Sequence, residues 1–205
     1  MFFLYSLILN KKTMKKFILT SFVTLFFLSC TKNEDISNTN DVNKQKVNMT
    51  LNEKDYETQK SMYNLLSASE KYFIWNTKVN NLLKDEKLNN SQKSVLLDLK
   101  NNLSVTIFDA ESLNDKAEIF KNIYAVNFLK KANKHFTSDY VLSNLFSLNK
   151  LYTGEGSCTC SNDSSVTCGI GTGINCGAAV CKATTSGCGF LWDYACNGRC
   201  NVLQN

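Results

Sequence analysis

Proline is absent from this 205-residue sequence, histidine occurs once, and glycine does not occur before Gly154. A chain with one histidine, His135, and with cysteines expected to be oxidised cannot assemble a histidine-based acid–base or nucleophilic site. Its Asp and Glu residues are scattered, and no pair of them suggests a carboxylate-based enzyme. The sequence therefore predicts a protein that is not an enzyme, with no catalytic residue and no cofactor.

Clustered basic charge is missing as well. The formal net charge is +5, of which +4 lies in the first 29 residues, +2 in the middle of the chain and −1 from Gly154 onward. Proteins that bind nucleic acids concentrate Lys and Arg on one face or stripe. No nucleic-acid partner is expected.

The N-terminus has the pattern of an export signal. Lys15 and Lys16 precede an apolar run over residues 17–28, which is interrupted only by Thr20, Ser21 and Thr24. A basic start and a short apolar stretch are typical of a signal peptide, and the run is shorter than the about 20 residues that a transmembrane helix needs. We expect residues 1–29 to be the signal peptide. The true start is expected at Met14, where the signal is already complete; the alternative is a longer leader from Met1.

Cys30 follows this apolar run directly, in the order Phe27-Leu28-Ser29-Cys30. The pattern resembles the lipobox of bacterial lipoproteins, which implies lipidation at Cys30 and anchoring in the bacterial envelope, at the outer membrane or cell surface. An ordinary signal peptide that happens to contain a cysteine is the alternative. The following polar residues cannot bury a core, so residues 30–50 are expected to be a flexible tether behind the anchor.

Residues 51–153 contain neither glycine nor proline, which favours uninterrupted helices. Ser67 and Glu70 have the spacing of a capping box, and further helix starts are indicated at residues 89–91, near Asp115 and after residues 137–138. Apolar residues then recur at helical spacing, so the helices should pack as a bundle. Its aromatic stripe is expected in the core, and His135 is expected to be a solvated residue near a helix end.

Residues 154–205 follow different rules, because they hold all nine glycines and eight of the nine cysteines. An even set of cysteines in an exported segment predicts four disulfides, although eight cysteines allow 105 pairings. The spacing contains no C-x-x-C pair, so neither a metal site nor a redox dithiol is expected. The cysteines are Cys158, Cys160, Cys168, Cys176, Cys181, Cys188, Cys196 and Cys200. The fold class is thus an all-α helical bundle followed by a small disulfide-rich, loop-dominated C-terminal module.

Phe190, Leu191 and Trp192 form the largest apolar feature of this module. They are expected either to form a small core against the bridges or to be an exposed wedge for a membrane or protein partner. In the second case these three residues bind the target. Residues 162–167 are an alternative contact, as the exposed loop of a protease inhibitor.

The cysteine spacing, together with Gly187-Cys188-Gly189-Phe190-Leu191-Trp192 and Cys196-Asn197-Gly198-Arg199-Cys200, resembles the bacteriocin fulvocin C and its related proteins. The resemblance covers roughly the last 50 residues and implies an antibacterial precursor or surface-displayed effector whose active part is the C-terminal module. Its expected partners are an envelope target on competitor cells and a protease that cuts near residues 152–157 and releases the module. The alternative function is a surface binding module for adhesion or protease inhibition.

Overall fold

The computed structural model describes residues 42–109, 115–149, 158–164, 166–169 and 174–202. They form a helix-rich part followed by a cysteine-rich part with four disulfides and little regular structure, which confirms the predicted fold class. We call residues 42–149 the helical part and residues 158–202 the module. The signal peptide, Cys30 and residues 150–157 lie outside the described residues.

The helical part consists of short helices. A 3₁₀ turn over Val105–Phe108 follows α4, and a π-helical turn over Phe120–Tyr124 joins α5 to α6. Within the described ranges, no helix has both the length and the apolar character that a membrane span requires. The helices are α1 (Lys44–Asn52), α2 (Tyr56–Asn64), α3 (Ala68–Leu83), α4 (Asn90–Asn102), α5 (Asp115–Ile119), α6 (Ala125–Ala132) and α7 (Ser138–Leu145).

Polar side chains begin these helices where the sequence indicates. The Ser67 hydroxyl accepts from the Glu70 amide, and Glu70 in turn accepts from the Ser67 amide, which confirms the capping box at the start of α3. Asn89 and Gln92 make the same reciprocal pair at α4, and Thr137 caps α7. Each cap satisfies backbone donors that a helix start otherwise leaves unpaired.

The tether prediction is wrong for its last residues. Residues 44–50 belong to α1, whose N-cap Asn43 accepts a hydrogen bond from the Lys46 amide. Val47 and Thr50 are buried. A polar segment folds here because two residues on one face of the helix, three positions apart, contact the rest of the core.

The core of the helical part is apolar and aromatic, as the periodicity predicts. Trp75, Phe120 and Phe128 of the aromatic stripe are buried, whereas Tyr72 and Tyr124 are half-buried. His135 is exposed just beyond the end of α6, as expected.

The module contains four disulfides and two antiparallel two-stranded sheets. Strands β1 (Ile174–Ala178) and β4 (Gly198–Val202) form one sheet, and β2 (Thr184–Cys188) pairs with β3 (Tyr194–Cys196) in the other. The bridges, all of them internal to the module, are Cys158–Cys181, Cys160–Cys176, Cys168–Cys200 and Cys188–Cys196.

Candidate functional site

The candidate site is the face where the module packs on the helical part. Phe190, Leu191 and Trp192 are 0%, 0% and 1% exposed and belong to the same hydrophobic cluster as the helical core. Among the described residues of the module, a separate small cluster is built from the half-cystines Cys158, Cys188 and Cys196. The module therefore buries its aromatic residues against the helices rather than against its own bridges.

The Phe190–Trp192 turn has an unusual backbone. Gly189 has φ +70°, and Leu191 and Trp192 have φ +55° and +53°. Left-handed conformations at non-glycine residues cost on the order of 1–3 kcal/mol and persist only where the surroundings hold them in place. The helical part supplies those surroundings, so the turn and its packing partner depend on each other.

Five aromatic residues of the helical part surround the turn, and we call this set the socket. Tyr63 and Tyr56 meet the Trp192 ring edge-on, with centroids 5.3 Å and 5.8 Å away. On the other side, the Phe190 ring contacts three phenylalanine rings at centroid distances between 5.3 Å and 6.3 Å. The socket residues are Tyr56, Tyr63, Phe120, Phe128 and Phe146.

Hydrogen bonds fix the turn in the socket. The Trp192 indole Nε1 donates to the Phe146 carbonyl at 2.9 Å, and the Tyr63 hydroxyl donates to the Leu191 carbonyl at 3.2 Å. Tyr63 is itself held by the indole of Trp75, which donates to its hydroxyl at 3.0 Å. These three hydrogen bonds satisfy the buried atoms that they join, which avoids the cost of leaving those atoms unpaired.

Lys60 crosses from α2 to the module. Its side chain is 0% exposed, and its Nζ donates to the Cys158 carbonyl at 2.9 Å and pairs with Glu57 at 2.9 Å. The aliphatic stem lies against Gly187, where a Cβ would come within 2.5 Å of Lys60 Cγ. A glycine at position 187 is therefore required both by its φ of +106° and by this close approach.

A second polar contact joins α3 and α2 to strand β2. Lys71 Nζ donates to the Ser186 hydroxyl at 3.3 Å, and the Ser186 and Thr185 hydroxyls donate to the Asn64 amide oxygen at 2.9 Å and 2.8 Å. Burial lowers the pKa of Lys71, against the opposing effect of the Asp193 carboxylate. The hydroxyl groups of β2 therefore have hydrogen-bond partners on the helical part, namely Lys71 and Asn64.

Asp193 is a buried carboxyl at the edge of the socket. Lys121 Nζ lies 3.3 Å from its Oδ2, and the neighbouring Tyr194 hydroxyl donates to the Lys121 carbonyl at 3.0 Å. Burial raises the pKa of Asp193 to about 7, although the positive charges of Lys121 and Lys71 oppose this shift. The contact between the two parts thus contains a group that titrates near neutral pH.

Two hypotheses about exposed contact residues are wrong for this structure. Phe190, Leu191 and Trp192 are not an exposed wedge in the uncut chain, because they are buried in the cluster that contains the helical core. The 162–167 segment is not an exposed inhibitor loop either, because Val166 and Thr167 are buried and only Asn162 and Asp163 are exposed among its described residues.

The eight C-terminal cysteines are all paired, as predicted. The sulfur atoms of Cys160, Cys168 and Cys176 lie within 4.8 Å of one another, which is close enough for a shared ligand. All three sulfurs belong to disulfides, and a metal would need them as thiolates. Four disulfides are typical of an oxidising compartment outside the cytoplasm.

The sequence gives little indication that these helical residues contact the module. Lysines on a helix normally lie in solvent, and nothing local marks Lys60 or Lys71 as buried. Their contacts lie 98 and 115 residues further along the chain. One usable signal is the spacing of Tyr56, Lys60 and Tyr63 at i, i+4 and i+7, which puts a mixed aromatic and cationic stripe on one face of α2.

Comparison with known proteins adds no relative: neither a family model, nor a curated protein, nor a solved structure matches the chain.

Proposed function

We propose that this chain is an exported, non-enzymatic antibacterial precursor in which the helical part masks the apolar face of the disulfide module. The observation that carries the proposal is the burial of Phe190, Leu191 and Trp192 in the socket. Removed from the helical part, the module would present these three residues to solvent, because its own cluster consists of half-cystines. A contiguous apolar surface of this kind is suited to contact a membrane or a protein target.

The pattern of bridges supports a module that separates as a unit. All four disulfides join residues between Cys158 and Cys200, so no covalent bond other than the backbone joins the module to the helical part. One cut between residues 150 and 157 would therefore leave two covalently independent pieces. The resemblance of the cysteine spacing to fulvocin C favours the module as the active piece.

The same proposal includes a lipid anchor that holds the chain in the bacterial envelope. The bridges require an oxidising compartment, and the Phe27–Cys30 pattern favours lipidation at Cys30, with the chain held at the outer membrane or cell surface. A processing protease then cuts the junction, and the fraction of the module that dissociates from the helical part acts on an envelope target of competitor cells. Until that cut, the apolar face of the module is covered, so the module does not act on the producing cell.

Intact mass spectrometry of supernatant and membrane fractions, before and after reduction, tests this proposal. We expect a supernatant fragment that starts near Ser157, gains two hydrogens per bridge on reduction, and inhibits growth of related bacteria when the uncut chain does not. Full-length lipidated chain in membranes alone, with no fragment in the supernatant, would exclude a released bacteriocin.

The second candidate is a permanently displayed surface binding module, for adhesion or protease inhibition. The continuous core between module and helices favours it, because such a core is typical of parts that fold as one unit. Binding would then use side chains of the module that stay exposed in the uncut chain. Under this alternative only the uncut chain is found, and it binds cells or proteases without inhibiting growth.

A further inference from the structure

We propose that the helical part is a receptor for the module: it retains the module after the backbone is cut, and it captures a free module that comes from a second copy of this chain. The biological meaning, self-protection of the producing cell, rests on the proposed function. The binding itself does not, since it follows from contacts that are independent of the junction.

The contacts that would survive a cut are many and close. Trp192 and Phe190 fill the socket, and the hydrogen bonds from Trp192 to Phe146, from Tyr63 to Leu191 and from Lys60 to Cys158 cross the same face. Fully buried aromatic anchors surrounded by satisfied polar contacts are the features that dominate binding energy in protein interfaces. The junction between residues 149 and 158 is not needed for any of them.

Two socket residues also have partners inside the helical part. Trp75 of α3 fixes the Tyr63 hydroxyl, and Phe128 packs against Tyr124 with centroids 5.9 Å apart. Both contacts lie within the helical part, so we expect them to help hold Tyr63 and Phe128 in place before the module docks. A preorganised site loses less conformational entropy on binding, which favours recapture of a free module.

Contacts around the socket make the site selective for this module. Lys60 donates a hydrogen bond to the Cys158 carbonyl. Its stem also packs so closely on Gly187 that a side chain at position 187 would collide with it. Lys121 faces the carboxyl of Asp193, and Lys71 and Asn64 face strand β2. An unrelated apolar peptide would leave these buried polar groups unpaired, at a cost in affinity.

Binding in the socket and action on a target are mutually exclusive if both use Phe190, Leu191 and Trp192. A helical part that stays anchored at the producing cell would therefore neutralise modules released by its neighbours as well as its own. The partner is thus a second copy's module, in its oxidised form.

The experiment uses the full mature chain with Cys30→Ser and a specific protease site inserted between Gly154 and Glu155. The oxidised chain is cut and passed over a size-exclusion column in native buffer. We expect both pieces to elute together as one complex. Capture from a second copy is tested by mixing isotope-labelled and unlabelled cut complexes and following mixed species by native mass spectrometry, with low urea to speed exchange.

A matched pair of variants separates socket binding from general adhesion. Trp192→Ala removes the ring that fills the socket, whereas Val180→Ala removes an apolar side chain that is fully exposed. We expect Trp192→Ala to weaken retention about 100-fold, the size typical of a central aromatic anchor, and Val180→Ala to leave it unchanged. The mass of each cut module verifies that all eight cysteines are oxidised, and disulfide mapping of unreduced proteolytic fragments verifies that the four native bridges have formed.

Pieces that separate on cutting, or mixed-isotope complexes that never form, would overturn the receptor proposal. Growth inhibition by the isolated module is measured in a separate assay, because it tests the antibacterial function and not the binding. If the pieces stay together and the isolated module kills no cells, the antibacterial function fails and the receptor stands. If the pieces separate at once and the module kills, the function stands and the receptor fails.

Discussion

The stem of Lys60 lies so close to Gly187 that a Cβ at position 187 would come within 2.5 Å of Lys60 Cγ. The clash would fall on the middle of the lysine side chain, which is fixed at its end by the Cys158 carbonyl and Glu57, so the lysine has little freedom to move aside. This pair marks the closest approach of α2 to the module, and it gives the first prediction.

Gly187→Ala should destabilise the protein by about 2–4 kcal/mol, because it adds backbone strain at φ +106° to a steric clash in a packed core. Gly177→Ala is the control, since its Cβ would meet mainly the Asn201 amide end, 2.7 Å away, in the exposed β1–β4 ribbon. The measurement is the free energy of unfolding in urea. Equal losses for the two variants would contradict the assigned role of Gly187.

Lys60→Met should lower the free energy of unfolding by about 1–3 kcal/mol. The methionine keeps the apolar stem but leaves the buried Cys158 carbonyl without its donor. Lys131→Met is the matched control, because Lys131 is exposed and makes only a surface ion pair with Asp98, at 3.4 Å. Surface pairs of this kind contribute about 0–1 kcal/mol, so a loss at Lys131 as large as at Lys60 would argue against a buried contact.

The stability of the protein should fall as pH rises through about 7. The pKa of Asp193 is raised from its ordinary 3.8 to about 7, so the folded state binds a proton there that the unfolded state has already released. This contribution is fully present below about pH 4 and is lost as pH rises through 7. The charged or titratable groups that face Asp193 are Lys121, Lys71, Tyr63 and Tyr194.

Asp193→Asn tests this assignment, because asparagine cannot titrate. The variant should lose most of the pH dependence between pH 5 and 8 and should be more stable than the parent at pH 8, where the parent keeps a charge buried. The full effect is of the order of 4 kcal/mol for a shift of this size. An unchanged slope in the urea unfolding free energy against pH would assign the dependence to another group.

Removal of the Cys188–Cys196 bridge should loosen the module from the helical part more than removal of Cys160–Cys176. The first bridge closes the loop that holds the Phe190–Trp192 turn, whereas the second joins Cys160 to strand β1 and does not enclose that turn. Loop entropy alone predicts the reverse order, since the sequence separations are 8 and 16 residues. Paired Cys→Ala variants of the cut chain, compared by how much module stays bound, distinguish the two explanations.

Local structure follows closely from the sequence here, and tertiary contacts do not. The capping boxes at Ser67 and Asn89 depend on side chains three residues apart, so a short stretch of sequence is sufficient to predict or indicate them. Residues 44–50 of α1 have the polar composition that predicts a tether. Their order comes with the burial of Val47 and Thr50, which the composition of the segment does not indicate.

The apolar run in the module shows the same limit at the candidate site. Its apolar composition predicts that Phe190, Leu191 and Trp192 are buried, but it does not predict which residues they pack against. The answer depends on Tyr63 and Phe146, which lie 128 and 46 residues earlier in the chain. The choice of one pairing among 105 is likewise a property of the whole folded module.

The two tryptophans of the chain lie on opposite sides of this contact, with the Tyr63 hydroxyl bonded to one and its ring against the other. Trp75 belongs to the helical part, so we expect its surroundings to change less than those of Trp192 when the module leaves. Trp192 moves from an apolar cage into water when the module leaves, which shifts indole emission to longer wavelength. The fluorescence of Trp192 therefore reports whether the module is docked. A Trp75→Phe variant would leave Trp192 as the sole source of tryptophan emission.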